Sequence, residues 1–282
     1  MPAFVLLAPK PLSGKTTIAA ALAQRLKADG KTVSLSRLGD DANASADKAL
    51  FAAISSPADA AQVTLTEAAA GESATAGNRP IVVADAGLPA GEIAAFCRAL
   101  ADPIVILNRM PVRRTDAVRA AAKAAGLKVA GVVPEDRLLA SPTLGEVAEA
   151  LQAEKLYFNS SGQRPLDRTL IASISADPGQ GYFARTGVNT VIVRSDKPDL
   201  QLAALNAGAT AMIVTGDLPI LGYVLSRAEE DPVPLLRTKL ETADAVKVIE
   251  DLYASKPFAG GAEKLRRAAE LAGEIDLATL LS

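Results

Sequence analysis

Hydrophobic and polar positions fall into short blocks along this chain. Residues 3–8 form a continuous apolar run that closes on Pro9, and residues 15–28 then carry apolar side chains at helical spacing as far as Gly30, so the chain opens as strand, loop, helix. A second strand is expected at 32–38. It is followed by a polar, Ala-rich stretch of about 40 residues that contains a helix at 47–54 and a middle with no clear period. Regular alternation follows: strand 81–84 ending at Asp85, helix 91–100, strand 104–107, helix 115–125, strand 128–133. Such alternation predicts a parallel sheet covered on both faces by helices, an α/β fold.

The pattern restarts after Ser141-Pro142-Thr143, which cap a helix running to Leu151. Strands are expected at 170–175, 190–193, 211–214 and 233–236, with helices at 200–207, 220–229 and 242–253, a second and smaller α/β domain. The expected division is residues 1–153, 154–255 and a helical tail 256–282. In the tail, Leu265, Ala268, Ala269 and Leu271 lie at helical spacing, as in a docking or dimer helix.

Composition narrows the chemistry. The 282 residues include no histidine and one cysteine, Cys97, which excludes Ser/His/Asp triads, Cys/His dyads, His-ligated metals and intrachain disulfides. Cys97, in a helix expected at 91–100, reads as a small buried hydrophobe. With 30 basic and 32 acidic residues there is no electrostatic footprint for nucleic acid or for an anionic lipid surface. No apolar run is long enough to span a membrane, and a cytoplasmic protein is expected.

Chemistry is concentrated at Ser13-Gly14-Lys15-Thr16-Thr17. A phosphate site needs converging backbone N–H groups, a helix N-terminus, a lysine for the β and γ phosphates and a hydroxyl for Mg²⁺, and this loop supplies all four. ATP and Mg²⁺ are the expected cofactors, with Lys15 as a catalytic cation and Ser13, Gly14, Thr16 and Thr17 as further contacts. Pro9 stands where the strict motif has its first glycine. Thr16 is the first candidate for the metal, and Asp85, at the end of its strand, is placed as a second; it also suits a helix cap. Asp47 is the third, with capping as its alternative.

Lys10, five residues before Lys15, resembles the extra lysine of the deviant Walker motif in dimeric P-loop ATPases, including the septum-positioning and plasmid-partition proteins. The resemblance implies a homodimer in which Lys10 reaches the partner's phosphates; a solvated loop lysine is the alternative. The runs 128–146 and 191–205 resemble the N-terminal region of long phosphate acetyltransferases and their stand-alone relatives, a dethiobiotin-synthetase-like P-loop domain followed by a DRTGG domain. Arg194 to Asp199 stands at the name-giving motif, and Thr215-Gly216-Asp217 at its later turn.

That resemblance implies roles for Asp47 as a metal ligand and for Asn108 as an adenine reader, with Pro134 and Glu135 lining the other side. It implies a regulatory second domain, in which the loop of Arg194, Asp196 and Asp199 would hold a small anionic ligand; a loop capped by Asp199 is the alternative. Two departures bear on activity. The family's Lys-Pro is Arg37-Leu38 here, and its Glu-Gly is Asp85-Ala86, with a spacing to Asn108 that leaves room for one strand and helix fewer. The acetyl-transfer domain of the long phosphate acetyltransferases lies further toward the C-terminus in those proteins, and acetyl transfer is not an expected activity of this sequence. The expected function is a slow, Mg²⁺-dependent ATPase with a ligand-sensing second domain. The alternatives are an ATP-dependent ligase for a small carboxylate, with Arg37 as its substrate cation, and a non-catalytic interaction module.

Overall fold

The computed structural model describes residues 2–73, 77–166, 168–172, 183, 185, 190–255, 258 and 261–281. They form two compact units, residues 1–139 with 262–282 and residues 140–261.

The first unit is a six-stranded parallel sheet: β1 (Ala3–Leu7), β2 (Val33–Leu38), β3 (Val63–Ala68), β4 (Arg79–Asp85), β5 (Ile104–Met110) and β6 (Val129–Pro134), in the order β2-β3-β1-β4-β5-β6. Helices α1 (Lys15–Ala28), α2 (Ala44–Ile54), α3 (Ala90–Cys97) and α4 (Thr115–Ala124) connect the strands, and a short α5 (Arg137–Ala140) follows. The central strands are buried on both faces, which is why Phe4-Val5-Leu6-Leu7 and Ile81-Val82-Val83-Ala84 read as continuous apolar runs. Cys97 is buried at the end of α3, and burial pushes its thiol above the ordinary value.

Strand β3 lies where the sequence shows no clear period. Val63 and Leu65 point into the core while Thr64 and Thr66 are half-buried, but the strand ends in Glu67-Ala68-Ala69-Ala70, a helix-forming composition that masks it. Inserted between β1 and β2, it carries a buried acid to the phosphate loop.

Helix α1 is buried at Ile18, Ala19, Ala20, Ala21, Leu22, Ala23 and Leu26, nearly all round, because it packs against the sheet and also against the C-terminal helix Ala262–Leu271. The expected docking helix therefore docks within its own chain. Beyond it, Ile275 bridges Gly131 on the edge strand β6, and the Asp276 amide donates to the Ala130 carbonyl at 2.8 Å. Gly131 permits this approach: a Cβ there would lie 2.8 Å from the Glu274 carbonyl and 2.9 Å from the Ile275 Cα. The tail thereby covers an otherwise open sheet edge.

The second unit contains α6 (Leu144–Ala150), capped where expected by Thr143, which forms a capping box with Glu146. Its five-stranded sheet comprises β7 (Glu154–Leu156), β8 (Thr169–Ile171), β9 (Thr190–Arg194), β10 (Ala211–Thr215) and β11 (Leu235–Thr238), in the order β7-β11-β10-β9-β8 with only β7 antiparallel. Helices α7 (Pro198–Asn206), α8 (Gly222–Glu230) and α9 (Thr242–Ser255) complete it. Residues 173–175 of the strand expected at 170–175 lie outside the described residues. No described helix is long and apolar enough to cross a membrane.

Candidate nucleotide site

The loop between β1 and α1 ends at Gly14, which caps the helix in the left-handed conformation at φ 85° with no side chain bonded to the first turn. The first backbone N–H groups of α1 are therefore without a capping side chain or a nearby acid in the first turn, an arrangement that suits an anion. Ser13 is buried and its hydroxyl donates to the Lys10 carbonyl at 2.8 Å, which fixes the bend. Asn108, buried at the end of β5, donates its Nδ2 to the Ser13 carbonyl at 3.0 Å. A Cβ on Gly14 would meet that Nδ2 at 2.3 Å, so both the backbone angle and the Asn108 brace require glycine. Asn108, expected to read adenine, gives one of its two amide hydrogens to holding the loop.

Thr16 and Asp47 come together, and the acid that joins them is Glu67. The Thr16 hydroxyl donates to Glu67 Oε1 at 3.1 Å and acts to lower the Asp47 carboxyl against its burial. Asp47 lies inside α2, whose N-cap is Asn43, so capping is not its role. Asp85 ends β4 on the other side of β1 from β3; its carboxylate pairs with Arg109 and accepts from the Gly87 amide at 2.9 Å. The second acid at Thr16 is therefore one that sequence reasoning missed. The signal that would have found it is the Val63-Thr64-Leu65-Thr66 alternation leading into a carboxylate.

Arg37 at the end of β2 closes the cluster. Its side chain is 2% exposed; Nη1 lies 2.5 Å from Asp47 Oδ2 and 3.1 Å from Glu67 Oε1, and Nη2 lies 2.5 Å from Asp41 Oδ2. Asp47 Oδ1 and Glu67 Oε2 are buried with no hydrogen-bond partner. Burial raises the Asp47 carboxyl above its usual range, against the pull of Arg37. Burial and then the Asp47 charge push Glu67 up to about 7, opposed by Arg37, Lys15 and the Thr16 hydroxyl.

Because the folded Glu67 carboxyl is raised from 4.5 to about 7, the folded chain binds more protons than the unfolded chain between those values, and its stability falls as pH rises through that window. Glu67→Gln removes the ionisation, so the difference in Tm, variant minus parent, is expected to grow from pH 4.5 to pH 7 and level off above it. A pH-independent difference would contradict the buried, raised carboxyl.

Hard oxygen donors with unfilled acceptor capacity suit Mg²⁺. Thr16, Asp47 and Glu67 could supply them, and one oxygen of each acid, Asp47 Oδ1 and Glu67 Oε2, is without a hydrogen-bond partner. Among the described residues, no group of three or more acidic, histidine or cysteine side chains could hold a metal ion. The remaining expected residues are more peripheral. Lys10 is exposed and pairs with Glu92 at 3.7 Å; Thr17 sits in the first turn of α1; and the Glu135 amide, after Pro134, donates to the Met110 carbonyl at 3.0 Å beside the β5 end.

Residues 5–146 match the family model of the CobQ/CobB/MinD/ParA nucleotide binding domain. The chain belongs to this family. Residues 146–252 match the DRTGG domain, so a MinD/ParA-type P-loop domain is followed by a DRTGG domain. Among solved structures, the chain is similar to the CBS and DRTGG domains of the regulatory region of a Clostridium perfringens pyrophosphatase complexed with the activator diadenosine tetraphosphate (14% identity, TM-score 0.35), covering 42% of this chain and 53% of that one. The chain therefore spans about half the length of that relative. It is also similar to MinD in the MinC:MinD cell division complex of Aquifex aeolicus (13% identity, TM-score 0.38, 49% of this chain and 84% of that one) and to Aquifex aeolicus MinD by itself (14% identity, TM-score 0.34, 48% and 83%).

In the DRTGG domain the loop after β9 is internally paired: Arg194 Nε and Nη2 each donate to Asp196 at 2.9 Å. Asp199 does not cap α7. Lys197 is the N-cap, Pro198 follows, and Asp199 lies in the first turn. Buried Gln201 donates to the Arg194 carbonyl at 2.9 Å and ties the loop to the helix.

Proposed function

We propose that the P-loop domain binds ATP with Mg²⁺ at the start of α1 and hydrolyses it slowly, and that the DRTGG domain senses a small ligand. The observation that carries this reading is the uncapped N-terminus of α1 beside Lys15 and the Thr16, Asp47 and Glu67 oxygens. Backbone amides of the first turn would hold the phosphates, and Lys15 would sit against the β and γ oxygens. Thr16, Asp47 and Glu67 would hold Mg²⁺, which when bound neutralises charge on the transferring phosphoryl group. Water would attack the γ-phosphorus, the bond to the bridging oxygen would break with ADP taking the electron pair, and the proton of the water would pass to the released phosphate or to solvent. Lys10, exposed and paired with Glu92 at 3.7 Å, would reach the phosphates of a second copy in a homodimer.

A ligase reading requires Arg37 to meet a carboxylate substrate, whereas its guanidinium is buried among three of the chain's own carboxylates. We therefore favour the ATPase. Titration calorimetry with ATP, with and without Mg²⁺, coupled to a sizing run, tests it. Binding that strengthens with Mg²⁺ and produces a dimer is expected; no binding at millimolar ATP would remove the assignment.

A further inference from the structure

Arg37 pairs with the same two carboxylates that a metal ion would use, through the oxygens that do not lie orphaned. Its Nη1 bridges Asp47 Oδ2 and Glu67 Oε1, the carboxylates that flank Thr16, and Asp41 holds Nη2 from the outer side at 38% exposure. A purely structural ion pair is expected to satisfy its carboxylates. Here one oxygen of each acid, Asp47 Oδ1 and Glu67 Oε2, stays buried without a partner, and so does Nε of Arg37 itself, so the guanidinium does not saturate the acid pair that it holds. A second cation entering next to a buried guanidinium meets charge repulsion that solvent screens poorly. Phosphate oxygens arriving at the start of α1 would offset that repulsion.

We infer that Arg37 is the resident counter-cation of the metal site: it holds Asp47 and Glu67 when no nucleotide is present and opposes occupation by a bare divalent ion, so that metal enters only with a nucleotide. The inference rests on the nucleotide-site reading above. It makes Arg37 a positioning residue that couples metal binding to nucleotide binding, a role distinct from contact with substrate.

The test is Mn²⁺ binding to the nucleotide-free protein, followed by loss of the free-ion electron paramagnetic resonance signal. The parent is expected to bind Mn²⁺ weakly and Arg37→Gln at least about ten-fold more tightly. Arg37→Lys is expected to fall between them, since a flexible ammonium cannot span the same three carboxylates. The double variant Arg37→Gln/Asp47→Asn should lose the gain, which places the ion on this acid pair. If Arg37→Gln does not fold, Arg37→Lys decides. Variants that bind Mn²⁺ no more tightly than the parent, or a gain that survives Asp47→Asn, would overturn the inference. ATP titrations on the same samples separate the two readings: a parent that never binds ATP defeats the nucleotide site, whereas unchanged Mn²⁺ affinity with ATP binding intact defeats only the role of Arg37.

Discussion

Lys15→Ala is expected to abolish measurable ATP binding, a loss of at least about 100-fold, the size of one or more charge-assisted contacts to phosphate. Lys15 opens α1 and is close enough to Glu67 and Asp47 to act on both carboxyls. It is the cation that follows Gly14, and alanine there keeps the helix while removing the charge. The fold should survive, because the core face of α1 begins at Ile18. Calorimetry alongside thermal unfolding separates the effects: lost binding with an unchanged Tm is the expected pair. Equal affinity in variant and parent would exclude Lys15 from the site.

Arg37→Gln is expected to destabilise the P-loop domain by about 3–5 kcal/mol, the cost of breaking a buried charge pair from one side. The guanidinium is 2% exposed and faces two carboxylates that are themselves 2% and 4% exposed, so neither acid can recover its interactions from water. Adding Asp47→Asn and Glu67→Gln to the variant should restore part of the loss, since neutral amides need no counter-charge. Denaturant midpoints measure this series. A cost under about 1 kcal/mol, as for a surface pair, would contradict the burial.

Much of the architecture is legible from hydrophobic pattern alone. The β1-loop-α1 unit announces itself because a doubly buried strand must be continuously apolar and because few sequences besides a phosphate loop place Gly-Lys-Thr between such a strand and a helix. The site is only partly legible. Thr16 and Asp47 could be named in advance, but their third partner, Glu67, sits on a strand whose end has helical composition, and tertiary pairing with β1 and β2 overrides that preference. Arg37 is legible in the sequence as a candidate substrate cation, and only the fold shows that three of the chain's own carboxylates surround it. Asn108 could be singled out as a residue of interest, yet its contact with Ser13 is 95 residues away in sequence and has no local signature.

Amide hydrogen exchange with and without Mg²⁺ and ATP tests the central claim most directly. The account predicts protection of residues 10–18 and of the β3 end around Glu67, with the amides of 140–261 unchanged by direct contact. Protection confined to the DRTGG domain, or none anywhere at saturating nucleotide, would contradict a nucleotide site at the start of α1.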